Sequence, residues 1–109
     1  MPPFDSPRLI ADIGGTYARF AVETAPGRFE HTASLRCADH ADFHAAVRAY
    51  LASVPVGHIQ HAAIAIANPI TGDQVRMTNH DWAFSQAEVK AEFGLRTLRM
   101  LNDFTALAL

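Results

Sequence analysis

The run Leu9-Ile10-Ala11-Asp12-Ile13-Gly14-Gly15-Thr16 sets the terms for the rest of the chain. A short apolar strand runs straight into an acid, two glycines and a threonine. A Gly-Gly pair lets the backbone take positive φ and approach a ligand with no Cβ in the way. Several N–H groups in such a turn can converge into a small anion-binding nest. Asp12, just ahead of the turn, is placed to hold a hydrated Mg²⁺, which keeps most of its waters and takes one or two carboxylates. Thr16 adds a hydroxyl donor. Handling of nucleotide phosphates fits this chemistry. A plain β-hairpin turn fits the same residues, because Gly-Gly pairs make hairpins without any ligand.

The rest of the chain surrounds that strand with alternating elements. Strand one covers Arg8 to Ile13, and Ala18 to Glu23 reads as strand two. Pro26-Gly27 is a turn pair, and Phe29 to Ser34 reads as strand three, completing an antiparallel meander. Apolar residues at 43, 46, 47, 50 and 51 fall at helical spacing, with Asp39 or Asp42 available as the cap. Ala62 to Ala67 is apolar throughout, as in a strand covered on both faces, and it stops at Asn68-Pro69. Thr71-Gly72-Asp73 is a second tight turn, Gln74 to Thr78 a short strand, and Asn79 to Trp82 a polar loop holding one large aromatic. Ser85 with Glu88 three residues on forms a capping box, and Gly94 ends that helix. Thr97 to Leu101 is a further strand. It stops at Asn102-Asp103, where a last helix begins and continues to Leu109 with no stop signal.

The order βββαβαβα, with a hairpin-like excursion after the fourth strand, predicts an α/β domain with a mixed sheet. It is the ribonuclease H-like pattern of the actin/hexokinase-type small domain, incomplete at the C-terminus. Residues 1–7 read as a flexible leader and 8–109 as one domain. In such a sheet a ligand sits beyond the carboxyl ends of the parallel strands. Asp12, Asn68 and Asn102-Asp103 all fall at or just past strand ends.

Composition removes several classes of function. Nine Lys and Arg against eleven Asp and Glu are scattered, and the pI is about 6.3. No basic patch asks for nucleic acid or an anionic membrane surface. The apolar runs are too short for a membrane span. The N-terminus lacks the regions of a signal peptide. The single cysteine, Cys37, excludes an internal disulfide and fits a cytoplasmic location. It reads as a small core or surface residue rather than a nucleophile. His40 and His44 lack a Cys or acid at the spacing that would complete a zinc site. Trp82 and Phe84 read as packed loop anchors rather than a stacking platform. Arg19 and Arg76 suit phosphate contact and solvated strand ends equally.

Asp103 is the candidate catalytic base, able to accept the proton of an alcohol as its oxygen attacks phosphorus. Asn102 offers both a donor and an acceptor, which suits a sugar hydroxyl. An ordinary Asn-Asp helix cap explains the same pair.

Read together, the motifs resemble the bacterial glucokinase family. They are Ala11-Asp12-Ile13-Gly14-Gly15-Thr16 with Ala18-Arg19-Phe20, then Ala65-Ile66-Ala67-Asn68-Pro69-Ile70-Thr71-Gly72-Asp73. Met77-Thr78-Asn79-His80-Asp81-Trp82-Ala83-Phe84-Ser85 and Leu101-Asn102-Asp103-Phe104-Thr105-Ala106 follow in the same order. The resemblance implies ATP-dependent transfer to the 6-hydroxyl of D-glucose. Ala11, Asp12, Ile13, Gly14, Gly15 and Thr16 would bind phosphate, with Asp12 holding Mg²⁺ through water. Asp103 would be the base, Asn102 a sugar ligand, and Thr78 and Asn79 would line the sugar pocket. Tyr17 departs from the Asn that the family usually shows after the threonine. The resemblance also implies a longer, homodimeric parent enzyme with a second domain, so the 109-residue piece alone is expected to be inactive or nearly so. A non-catalytic sugar-sensing or interaction module on the same fold is the other reading. Sensors of that kind place a helix-turn-helix before the first phosphate strand, and only a few residues precede it here.

Overall fold

The computed structural model describes residues 7–66, 72–76 and 82–101. Five strands form one sheet in the order β3-β2-β1-β4-β7, built from β1 (Arg8–Ile13), β2 (Tyr17–Ala25), β3 (Arg28–Arg36), β4 (His61–Ile66) and β7 (Thr97–Leu101). β1 pairs antiparallel with β2, and β2 with β3. On its other side β1 runs parallel to β4, and β4 to β7. The apolar β1 thus lies between a hairpin partner and a crossover partner.

Alternation along the strands decides which face is covered. Leu9, Ala11 and Ile13 of β1, Ala18, Phe20 and Val22 of β2, and Ala62, Ile64 and Ile66 of β4 are buried in one cluster. Helix α1 (Phe43–Ser53) contributes Phe43, Ala46, Val47 and Tyr50, and helix α2 (Gln86–Glu92) contributes Val89. The Tyr50 ring stacks on Phe20 with centroids 5.0 Å apart. The steps from β1 to β4 and from β4 to β7 move the same way across the sheet. Right-handed crossovers then bring both connecting helices to the same face. On the opposite face Ile10, Asp12, Ala21 and Ala63 are only partly buried. The expectation that β4 is covered on both faces therefore holds only in part.

Local signals account for the element ends. The Asp42 carboxylate accepts the Ala45 N–H at 2.8 Å, which makes Asp42 rather than Asp39 the cap of α1. Ser85 Oγ accepts the Glu88 N–H at 3.2 Å at the start of α2, and Gly94 leaves that helix at φ +62°. The β2–β3 register shifts between Phe20 and Val22. β3 carries one extra residue in this stretch, where His31 takes φ 57° and its carbonyl accepts the Tyr50 hydroxyl at 2.5 Å.

The hairpin-like excursion is a separate two-stranded sheet of β5 (Gln74–Arg76) and β6 (Ala83–Ser85). β5 begins at Gln74 as expected, residues 77 and 78 of the expected strand lie outside the described residues, and β6 occupies what reads as loop and cap. Trp82 and Phe84 are packed anchors: Phe84 stacks on Phe43 at 4.5 Å, and the Trp82 indole lies edge-on to Phe43 at 6.1 Å. Among the described residues no helix is long and apolar enough to cross a membrane. The leader over 1–6, Asn68, the loop with Thr78 and Asn79, and the final helix with Asn102 and Asp103 lie outside the described residues.

Candidate functional site

β1 and β2 are paired from Arg8↔Glu23 to Ile13↔Ala18, and the Gly14 N–H donates to the Tyr17 carbonyl at 2.9 Å. The diglycine turn is therefore a tight hairpin with Gly15 and Thr16 at its tip, so the hairpin reading is correct as geometry. It does not compete with phosphate binding, because the tip from Gly14 to Tyr17 is solvent-exposed.

Of the two reasons expected for the glycines, positive φ is not the one found, and room for close approach is. Positive φ among the described glycines occurs at Gly27 and Gly94, and neither Gly14 nor Gly15 adopts it. At Gly14 the constraint is closeness, since a Cβ would stand 3.3 Å from the Tyr17 carbonyl oxygen. At Gly15 a Cβ would meet nothing within 4 Å. The protein's own packing does not require glycine there, and the space beside it is open to a ligand.

Asp12 lies one residue before the turn, partly buried, on the sheet face opposite the helices. Among the described residues no group donates a hydrogen bond to its carboxylate. Arg19 is its cross-strand neighbour on β2 and makes no ion pair with it. A partly buried carboxylate with unused lone pairs suits an octahedral hydrated cation. Arg19 and Arg36 are both exposed, and Arg36 stands opposite Tyr17. They add positive charge near Asp12 and the hairpin tip. Arg76 is exposed on the separate β5–β6 hairpin.

The carboxyl ends of the parallel strands are in register. Asp12 pairs with Ala65, and Ala65 pairs with Leu101, so the three stand in one row across the sheet. At a strand spacing of about 4.8 Å, the ends of β1 and β7 are roughly 10 Å apart. Asn102 and Asp103 come next in sequence after Leu101.

Three features of this region had no clear trace in the sequence. Cys37 is buried, and its N–H donates to the Thr16 carbonyl at 2.9 Å, so the turn is held from behind. Asp73 accepts the Ser85 hydroxyl and also the Ala87 N–H at 2.8 Å, tying the start of β5 to the first turn of α2. The Ser85 hydroxyl, with the Ala87 N–H, holds the Asp73 carboxyl below the usual carboxylate range. His44 and Arg48 of α1 both contact the Glu92 carboxylate of α2. Burial pushes Glu92 up, and the two bonds outweigh it and hold it low.

Comparison with known proteins agrees with this geometry. The glucokinase family model matches residues 9–109. A glucokinase of Neisseria meningitidis serogroup C is 58% identical over 103 residues, covering 94% of this chain and 31% of that protein. A bifunctional protein glk of Paraburkholderia xenovorans is 52% identical over 105 residues, covering 96% of this chain and 16% of that protein. The crystal structure of a glucokinase from an Antarctic psychrotroph superposes with a TM-score of 0.83 at 41% identity, over 95% of this chain and 34% of that one. The chain thus spans less than a third of the length of the two relatives named first. The diglycine hairpin, the in-register strand ends and the match over residues 9–109 lead to one conclusion: the chain belongs to the glucokinase family.

Proposed function

We propose that this chain is the N-terminal part of an enzyme that transfers the terminal phosphoryl group of ATP to the 6-hydroxyl of D-glucose. The observation that carries the reading is the row Asp12–Ala65–Leu101, which brings the ends of β1 and β7 to one edge of the sheet. A phosphate held at the Gly15–Thr16 tip and a sugar held just past Leu101 would then meet there.

Phosphoryl transfer asks a protein for position, charge neutralisation and exclusion of water more than for covalent chemistry. The exposed hairpin tip offers backbone donors to the phosphates, and the Thr16 hydroxyl adds another. Asp12 would hold Mg²⁺ through water; when bound, that ion offsets charge on the phosphate oxygens. Asn102 orients the sugar, with Thr78 and Asn79 lining the other side of its pocket. Asp103 accepts the hydroxyl proton late in the transfer, as that proton becomes acidic. Remaining sugar and nucleotide contacts come from parts of the enzyme beyond this chain.

The test is Asp103→Asn in the full-length enzyme. Turnover should fall on the order of 10²–10⁴, while glucose affinity, measured by equilibrium titration, stays near that of the parent. Retained turnover would refute Asp103 as the base.

A further inference from the structure

We propose that Cys37 is a positioning residue for the phosphate turn, holding its peptide groups so that carbonyl oxygens face inward and an N–H faces the ligand. The proposal rests on the reading of Gly14–Thr16 as a phosphate site. Strand β3 ends at Arg36, and the chain enters a single 3₁₀ turn over Cys37–Asp39 directly behind the hairpin tip. The Cys37 N–H donates to the Thr16 carbonyl at 2.9 Å, and its Sγ lies 3.9 Å from the Gly14 carbonyl. The side chain is 1% exposed and packed in the core cluster, so this contact point is fixed to the body of the domain.

In a planar trans peptide the carbonyl and the following N–H point in opposite directions. Turning the Gly14 carbonyl toward Cys37 therefore turns the Gly15 N–H away from it, to the open side of the tip. Fixing the Thr16 carbonyl keeps a second oxygen from swinging toward a bound phosphate, which it would repel. Glycine-rich turns flip peptides easily because no Cβ resists the rotation. A brace on both carbonyls answers that weakness at the one place where a flip would put negative charge in the site.

The backbone dihedrals allow a test. Arg36 sits at φ −73°, ψ 127°, which a residue before proline accepts. Position 37 opens a 3₁₀ turn, where proline's fixed φ fits. In the full-length enzyme Cys37→Pro puts the ring Cδ in place of the N–H, so the Thr16 carbonyl is pushed away instead of held, and Cys37→Ser keeps the N–H in a side chain of similar size. The expected result is an ATP KM raised on the order of tenfold in Cys37→Pro, with the glucose KM unchanged and Cys37→Ser close to the parent. A folded Cys37→Pro with an unchanged ATP KM, or with both KM values rising together, would overturn the proposal. If Cys37→Pro does not fold, Cys37→Ala takes its place, since it removes only the thiol beneath Gly14. A rise in ATP KM of about threefold then supports the brace, and no change overturns it. Gly15→Ala, measured alongside, separates two failures. An ATP KM raised there but not in the Cys37 variants overturns the brace alone, and one unchanged in all of them overturns the phosphate reading beneath it.

Discussion

Two of the hairpins among the described residues, β1–β2 and β5–β6, are held in different ways. The β1–β2 hairpin belongs to the five-stranded sheet: β1 has a partner on each side, and β2 pairs with β3 as well. Its tip is positioned by main-chain hydrogen bonds, with the Cys37 thiol beneath the Gly14 carbonyl. Among the described residues the β5–β6 hairpin has the pairs Gln74↔Ser85, Val75↔Phe84 and Arg76↔Ala83 and no further strand beside it. A two-stranded hairpin alone is marginal in water. This one is held by Phe43, Trp82 and Phe84 against α1 and by Asp73 at the N-terminus of α2. A phosphate-binding turn gains from the first kind of support. The second kind makes the position of β5 and β6 depend on packing between helix and hairpin.

The contrast is broken most severely at Phe43, which is fully buried and touches both anchors of the second hairpin. Phe43→Ala should cost about 3–5 kcal/mol, a large part of the roughly 5–15 kcal/mol that holds a domain folded. Urea unfolding measures the loss. In variants that remain folded, the glucose KM should rise more than the ATP KM. An equal rise in both would mean that the two hairpins are not supported independently.

Adjacent glycines sharpen the other half of the comparison. Gly14→Ala forces a Cβ to within 3.3 Å of the Tyr17 carbonyl and should destabilise by on the order of 1 kcal/mol. Gly15→Ala meets no protein atom and needs no positive φ. It should leave stability unchanged or raise it by about 0.4–1 kcal/mol, through a less flexible unfolded chain. It should nonetheless weaken ATP binding, because the added methyl occupies the ligand's side of the tip. Thermal melts with and without ATP read both effects.

The smallest effect is expected at Asp73. Its folded pKa is depressed, first by the Ser85 hydroxyl and then by the Ala87 N–H. The stability it adds is therefore present above the ordinary carboxylate range and is lost as pH falls through its folded value. Asp73→Ala should melt lower than the parent near neutral pH, and the two should converge in acid. A difference that persists in acid would show that the carboxylate charge is not what ties β5 to α2.

Much of this architecture was legible in the sequence because the signals are periodic or local. Strand alternation in β1 and β2, the spacing from Phe43 to Leu51, Ser85 as a cap and Gly94 as a stop each have a physical cause within one element. Strand β7 was read at Thr97 to Leu101, as found. What was not legible depends on residues far apart in sequence. β6 is three residues long with one buried side chain, too short for alternation to register. Asp73 reads as a turn residue until Ser85 and Ala87 are brought to it. Cys37 reads as a small core or surface residue until Thr16, twenty-one positions earlier, is seen to accept its N–H. The diglycine motif was read for positive φ and for close approach without a Cβ; neither glycine takes positive φ, while Gly14 lies close to the Tyr17 carbonyl and the space beside Gly15 is open. Asn102, Asp103, Thr78 and Asn79 lie outside the described residues, and their proposed roles rest on the sequence motifs.

A crystal structure of the full-length enzyme with glucose and a non-hydrolysable ATP analogue tests the central claim most directly. The account predicts a phosphate oxygen about 2.7–3.2 Å from the backbone N–H groups at the Gly15–Thr16 tip, and the glucose 6-hydroxyl at a similar distance from the Asp103 carboxylate. A triphosphate bound away from the β1–β2 tip, or Asp103 turned from the sugar, would contradict it.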